Sequence, residues 1–174
     1  DEGKTSARML SFESSSAKTS SSAVIGAIGA GNYAGRVLLP AFKSTGARLK
    51  TIATSQGVSG THTGKKLGFE FNTTDSDSLL ADTEINTVVI GTQHNSHASF
   101  VEQALNAGKD VFVEKPLALT NEQLDQIDVA YIAAHERGDA PSLMIGFNRR
   151  YAPLMQKLKK QVSKSAEPMS IVYT

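Results

Sequence analysis

The chain has 174 residues, a length that suits one ordinary globular domain and is short for two. Eighteen Lys and Arg against seventeen Asp and Glu leave a formal charge of +1, which excludes the strong positive field of a nucleic-acid binder. No cysteine is present, so disulfides and thiol chemistry are excluded, and no apolar run reaches the roughly 18 residues of a membrane helix. We therefore expect a cytoplasmic protein that binds neither nucleic acid nor a membrane.

The first 22 residues differ in composition from the rest of the chain. Residues 11–22 read S-F-E-S-S-S-A-K-T-S-S-S and offer almost no apolar surface to bury. Such a segment does not offset the entropy cost of ordering its backbone. We interpret residues 1–22 as a flexible serine-rich leader or linker.

From Ala23 onward, short apolar runs alternate with helical patterns, as in repeated βαβ units. The runs V-V-I and V-F-V are apolar on both faces, which is typical of parallel strands covered on both sides. The expected strands are 23–28, 47–54, 86–92, 110–114 and 142–147, and the expected helices are 33–44, 60–67, 75–81, 96–107 and 121–137. The pattern predicts an α/β fold with a doubly wound, mostly parallel sheet.

Three details bear on the helix limits. Thr120 and Gln123 have the spacing of a capping box, and Gly46, Gly108 and Gly138 stand where helices are expected to end. Pro40 lies inside the first expected helix and indicates a kink or an early end.

The most informative motif is the glycine-rich segment that follows the first expected strand. It reads Gly29-Ala30-Gly31-Asn32-Tyr33-Ala34, a G-x-G-x-x-A pattern between a strand and a helix. Gly29 permits a tight turn, Gly31 lets a pyrophosphate approach bare main chain, and Ala34 keeps the helix close to the strand. The helix N-terminus then offers amide groups and a positive dipole end to the phosphates. We predict dinucleotide binding here; the alternative is a tight packing turn.

The end of the second strand usually selects between NAD and NADP. An acidic residue there binds the ribose hydroxyls of NAD, but this segment reads Thr54-Ser55-Gln56-Gly57 and has none. Ser55 can bind a hydroxyl or a phosphate. Arg36, Lys65 and Lys66 are candidate cations for a 2′-phosphate, although the two lysines also suit a solvated helix face. Both NAD and NADP stay open, with a slight preference for NADP, and the missing acid disfavours S-adenosylmethionine.

Polar residues follow the third and fourth long strands, at the edge where ligands bind open α/β sheets. His94 and His97 lie three residues apart without a nearby acid or cysteine, so we expect no metal site. His94 either borders the nicotinamide pocket or belongs to a polar loop in which Ser96 or Asn95 caps the next helix and main-chain groups satisfy His97.

The second group is Glu114-Lys115-Pro116, which places charges at the end of an otherwise buried strand. A lysine there can donate to a substrate oxygen, with Glu114 to orient it, and Pro116 can adopt a cis bond. The alternative is a surface ion pair at a strand end.

Residues 23–174 resemble the glucose-fructose oxidoreductase, inositol dehydrogenase and rhizopine-catabolism (Gfo/Idh/MocA) family. The resemblance rests on the glycine loop, on T-Q-H-N-S-H, on A-L-N-A-G-K-D-V-F-V-E-K-P and on G-F-N-R-R-Y-A-P. The last motif and the serine-rich leader look most like bidomain members that also carry a zinc-type alcohol dehydrogenase-like domain. Gln93 departs from the proline usual in the family.

The resemblance implies NAD(P)-dependent hydride transfer at a hydroxyl or carbonyl carbon of a sugar-like or cyclitol substrate. It assigns Thr92, His94 and Asn95 to the cofactor edge, the glycine loop to the pyrophosphate and Lys115 to the reacting group. Glu114 and Lys115 are also expected to contact the cofactor. It divides the chain into a Rossmann domain, 23–150, and the truncated start of an α+β substrate domain, 151–174, whose first strand is expected at 169–173. The fragment would then bind cofactor without catalysing a reaction alone; the alternatives are a non-catalytic nucleotide sensor and an empty scaffold.

Overall fold

The computed structural model describes residues 9–11, 23–163 and 170. Seven strands form one sheet, in the spatial order β1-β4-β3-β2-β5-β6-β7. They are β1 (Met9–Ser11), β2 (Val24–Ile28), β3 (Arg48–Ala53), β4 (Phe71–Thr73), β5 (Thr87–Ile90), β6 (Asp110–Val113) and β7 (Leu143–Ile145). Every pair is parallel except β1 with β4. This confirms the predicted doubly wound, mostly parallel fold.

The helices lie on both faces of the sheet. They are α1 (Leu39–Ser44), α2 (Val58–Leu67), α3 (Ser76–Ala81), α4 (His97–Asn106), α5 (Asn121–Glu136) and α6 (Pro153–Val162). Because side chains alternate along a strand, β5 sends Val88 and Ile90 into a core with α3, α4 and α5. Val89 points into a second core, which contains Leu39 of α1 and Leu67 of α2. The two apolar layers explain why the strands read as continuous apolar runs.

The capping expectations are largely confirmed. Gly46, Gly108 and Gly138 have φ of +84°, +67° and +88°, and each follows a helix end. The main-chain N–H of Gln123 donates to Thr120 Oγ1 at 3.3 Å. The Gln123 side-chain oxygen, however, accepts from Leu119 N rather than from Thr120 N. One half of the capping box is therefore displaced by one residue.

Pro40 is accommodated by an unusual first helix. The turn Ala34–Leu38 is a π-helix, and Leu39 N donates to Ala34 O, five residues back. α-Helical geometry precedes this turn at Asn32 and Tyr33 and resumes at Leu39, so Pro40 lies where the α-helical hydrogen-bond pattern is already changed. The expected kink is thus a change of helix type.

Two strands were not predicted. β4 reads only F-N-T, and β1 lies inside the leader that we expected to be flexible. Met9 and Leu10 of β1 are 45% and 46% exposed, so main-chain pairing with β4 rather than apolar burial holds this strand. The expectation is therefore wrong for residues 9–11, and the rest of the leader lies outside the described residues. So do residues 169 and 171–173 of the expected strand at 169–173; Ser170 is described with no regular secondary structure.

An ion-pair network lies where the strands begin, at the opposite edge from their carboxyl ends. Lys50 Nζ contacts Asp82 at 2.7 Å and Glu84 at 3.2 Å, and Arg48 contacts Glu70 at 2.6 Å and Glu84 at 2.8 Å. Burial opposes ionisation of Asp82, but Lys50 and a main-chain N–H outweigh it and hold the pKa of that carboxyl below its usual value.

Candidate functional site

The cleft begins at the turn after β2. Gly29 has φ of +95°, and its N–H donates to Ala53 O at 2.8 Å. A Cβ at Gly29 would lie 2.6 Å from Gly91 O and 2.9 Å from Thr92 N. The expected tight turn is present, and it needs glycine for both its conformation and its close approach to the chain after β5.

The second glycine leaves an open cradle. Gly35 N donates to Gly31 O at 2.8 Å, which is the first closing bond of the helix, so the amides of Asn32, Tyr33 and Ala34 precede any intrahelical acceptor. A Cβ at Gly31 would have only Gly91 O nearby, at 3.8 Å, and would project into open space. The arrangement is a bare main-chain surface beside a helix N-terminus, which suits a phosphate.

The third position of the motif serves packing. Ala34 is 4% exposed, and a Cβ at Gly91 would lie 2.7 Å from the Ala34 Cβ. Ala34 and Gly91 therefore let the first helix approach the end of β5 closely. A larger residue at either position would push the glycine loop away from the sheet.

The cleft has a volume of about 850 Å³ along the carboxyl ends of β2, β3 and β5. Six of the predicted cofactor residues line it: Gly29, Gly31, Asn32, Ser55, Thr92 and Asn95. Five lie outside its lining, namely Tyr33, Ala34, His94, Glu114 and Lys115. Five further hydroxyl-bearing residues line the wall and were not predicted as cofactor residues from the sequence: Thr54, Ser59, Thr74, Ser76 and Ser96. Thr74 and Ser76 follow β4, so a sequence prediction of that strand would have pointed to both residues.

The wall beyond β3 contains hydroxyl groups, and among the described residues of the cleft lining there is no carboxylate. Ser59 lies in the first turn of α2, which begins after Gly57 at φ of +72°. Lys65 and Lys66 lie in the last turn of α2, and neither they nor Arg36 line the cleft. The two lysines therefore match the alternative of a solvated helix face.

The loop after β5 holds its polar side chains together. Ser96 Oγ lies 2.7 Å from Thr92 Oγ1 and 2.8 Å from Gln93 O, and makes no capping bond to α4, so the expectation that Ser96 caps this helix is wrong. His94 is exposed, with its ring centroid 5.5 Å from that of buried His97. The His97 ring contacts two main-chain carbonyls, as one alternative predicted. No cluster of three metal-binding side chains occurs within the described ranges.

Lys115 is exposed beyond the end of β6, and its bond to Pro116 is cis. No ion pair involves Lys115 anywhere in the described part of the chain, so the expected orientation by the Glu114 side chain is absent. Instead, the Glu114 carboxyl lies against Gly146, where a Cβ would be 2.9 Å from Glu114 Oε1. Burial raises the pKa of Glu114, although the main-chain N–H of Lys115 acts in the opposite direction.

A contact across the sheet edge joins two motifs. Asn148, from the G-F-N-R-R-Y segment, donates through Nδ2 to the Tyr33 hydroxyl at 2.6 Å. Tyr33 follows the glycine loop, and Asn148 follows β7. The last motif of the chain is thus brought to the same edge as the cleft.

Comparison with known proteins agrees with this geometry. Residues 23–139 match the family described as "Oxidoreductase family, NAD-binding Rossmann fold" (GFO_IDH_MocA). The chain belongs to this family. The predicted family is thereby confirmed, whereas the additional zinc-type domain stays a prediction. No helix among the described residues is long and apolar enough to cross a membrane.

Relatives within the family are about one third identical to this chain over the aligned residues. An inositol 2-dehydrogenase of Rhizobium meliloti is 32% identical over 79% of this chain and 39% of its own length. A levoglucosan dehydrogenase of Pseudarthrobacter phenanthrenivorans is 32% identical over 67% of this chain and 29% of its own length. The chain therefore spans less than half the length of these relatives.

Solved structures show the same architecture with bound nucleotide. The scyllo-inositol dehydrogenase of Lactobacillus casei, with bound NAD(H) and scyllo-inositol, has a TM-score of 0.73 and 26% identity, over 82% of this chain and 41% of that one. A 3-ketoreductase of Actinomadura kijaniata, in complex with TDP-benzene and NADP, has a TM-score of 0.72 and 25% identity, over 83% of this chain and 44% of that one. The family neighbours therefore include proteins with either nicotinamide nucleotide.

Proposed function

We propose that this chain binds the dinucleotide of an oxidoreductase that transfers hydride at a hydroxyl or carbonyl carbon of a sugar-like or cyclitol substrate. One observation carries the proposal: the bare main chain at Gly29 and Gly31 faces an 850 Å³ cleft at the N-terminus of a helix. A pyrophosphate fits there, because a phosphate oxygen needs free amides and no side chain in its path. The nicotinamide, when bound, would supply the hydride acceptor or donor.

In this proposal, different residues along the sheet edge contact different parts of the dinucleotide and the substrate. The glycine loop with Asn32 and Tyr33 holds the pyrophosphate, and Ser55 binds the adenosine ribose. Thr92, His94, Asn95 and Glu114 border the nicotinamide half. Lys115 is exposed at the same edge, so its side-chain ammonium group can stabilise negative charge that develops on a substrate oxygen. The additional length of the relatives is where we place the substrate-contacting residues, and the isolated chain is expected to be inactive.

We propose NADP as the preferred cofactor. Among the described residues, the cleft wall beyond β3 has no carboxylate of the kind that binds the NAD ribose and repels a 2′-phosphate. Its hydroxyl groups at Ser55 and Ser59, beside the first turn of α2, can instead donate to phosphate oxygens. The support comes from these hydroxyls and not from Lys65 or Lys66, which lie at the other end of the helix.

Calorimetric titration of the folded chain with NADPH, NADH and ADP-ribose tests both proposals. We expect saturable binding of all three and tighter binding of NADPH than of NADH. Tighter binding of NADH would overturn the NADP proposal alone. No binding of any of the three to folded protein would overturn the proposed function. A Lys115→Met variant should keep the affinity for NADPH within about threefold and, in a protein that includes the substrate-binding part, lose most of kcat.

A further inference from the structure

His97 is the most deeply buried imidazole of the described chain, with 0% exposure at the first residue of α4. Both ring nitrogens face main-chain carbonyl oxygens. Nδ1 lies 2.7 Å from Pro116 O, and Nε2 lies 3.2 Å from Thr92 O. The two carbonyls belong to different loops, so this one side chain connects the segment after β5 with the segment after β6.

The chemistry of the ring ranks the two contacts. A neutral imidazole has one N–H, and a carbonyl oxygen only accepts, so only one of the two contacts is a full hydrogen bond in that form. In the neutral ring, the shorter distance favours the tautomer with the proton on Nδ1, which donates to Pro116 O. The stronger hydrogen bond of His97 is therefore to Pro116, the residue directly after Lys115.

Main-chain pairing does not provide this connection. The ladder between β5 and β6 ends at Ile90 and Val113, and Glu114 N then donates to Ile90 O at 3.0 Å. Beyond that bond, no main-chain hydrogen bond links the two loops within residues 23–163. The loops separate at the point where one carries Thr92 and the other carries Lys115. A buried side chain with two polar ends occupies the gap.

We propose that His97 is a positioning residue, which fixes the Lys115 loop relative to the Thr92 loop and thereby shapes the nicotinamide half of the cleft. This inference rests on the proposed function. Packing alone does not account for a histidine here. An apolar side chain of similar size would fill the same core position, but it would form no hydrogen bond to either carbonyl. The adenosine half, at Ser55 and Ser59, lies on the other side of the glycine loop and does not contact His97.

The test compares nucleotides that differ only by the nicotinamide. NADPH is paired with 2′-phospho-ADP-ribose, and NADH with ADP-ribose, using whichever pair binds the unmodified chain more tightly. For His97→Phe, which keeps a ring but removes both polar atoms, we expect about a tenfold loss of affinity for the nicotinamide nucleotide. The affinity for the ligand without nicotinamide should change by less than about twofold. A purely structural role would weaken both ligands in the same proportion.

Two further variants each place one amide nitrogen at the position of one ring nitrogen. The amide nitrogen of His97→Asn is placed like Nδ1 and should restore nicotinamide-nucleotide binding to within about threefold, whereas the amide of His97→Gln is placed like Nε2 and should not. If His97→Phe does not fold, the comparison of the Asn and Gln variants tests the positioning role instead. Equal behaviour of the Asn and Gln variants, or equal loss for both ligands of a pair, would overturn the proposal. If the unmodified chain binds no nucleotide, the proposed function fails, and this inference fails with it.

Discussion

Replacing Gly31 with valine tests the pyrophosphate cradle by filling it. A Cβ at Gly31 would meet only Gly91 O, at 3.8 Å, and the backbone there does not have a positive φ, so the fold has room for the change. The branched side chain would occupy the open space before the amides of Asn32 and Tyr33. We expect Gly31→Val to fold with a loss of about 1 kcal/mol, the scale of a poor N-cap residue.

The effect on binding should be far larger. Displacing the pyrophosphate removes at least two charge-assisted N–H bonds, each of which contributes about 1.5–3 kcal/mol. The loss is then about 3–6 kcal/mol, or roughly 10²–10⁴-fold in Kd. Gly31→Ala, which adds a single methyl group, should show a smaller loss and serves as the graded control.

Calorimetric titration with NADPH, together with thermal unfolding of each variant, measures both quantities. If Gly31→Val unfolds at a temperature near that of the unmodified chain yet binds NADPH with unchanged affinity, the glycine loop is not the pyrophosphate site. The reasoning would also fail if Gly31→Ala and Gly31→Val bound equally well.

Other predictions concern stability. Gly29→Ala forces a side chain into φ of +95° and to 2.6 Å from a carbonyl oxygen, and should cost about 2–5 kcal/mol in urea unfolding; Gly46→Ala, at φ of +84° with open space around it, should cost only about 1 kcal/mol. Because burial raises the pKa of Glu114, its ionised form opposes folding, so Glu114→Gln should raise Tm at pH 7, and the gain should vanish below about pH 4; a constant gain across pH would contradict this. The pKa of Asp82 is instead lowered, so its contribution is present at neutral pH and lost as pH falls through the folded value. Asp82→Asn should therefore lower the free energy of unfolding by about 1–3 kcal/mol at pH 7 by weakening the contact with Lys50, with a smaller difference once the pH falls below the folded-state pKa of Asp82.

The strands that could be predicted from the sequence are those that contain a run of apolar residues. V-V-I and V-F-V became β5 and β6 because two buried faces require continuous apolar residues. β4 was missed because its three residues F-N-T lack such a run, and β1 because it is held by main-chain pairing, which leaves little trace in side-chain composition. Propensity arguments do not detect an edge strand of this kind.

The candidate site was predictable to the extent that local main-chain geometry determines it. Gly29 and Gly31 are needed for a turn and a bare surface, and both needs follow from the strand-turn-helix context. The pairing of Asn148 with Tyr33 joins residues 115 positions apart and is visible only once the strand order is known. The same holds for His97, whose partners lie on two separate loops. Glu114 shows the limit of reasoning from adjacency, since it lies next to Lys115 in sequence but packs against Gly146.

The central claim is that a nicotinamide nucleotide lies along the carboxyl edge of the sheet with its pyrophosphate on the glycine loop. Amide chemical-shift mapping of the ¹⁵N-labelled chain during titration with NADPH tests it most directly. We expect the largest saturable shifts at residues 29–34, with further shifts at 54–59 and 91–96. Shifts confined to the opposite edge, around Arg48, Lys50 and Lys109, or no shifts at a saturating concentration, would contradict it.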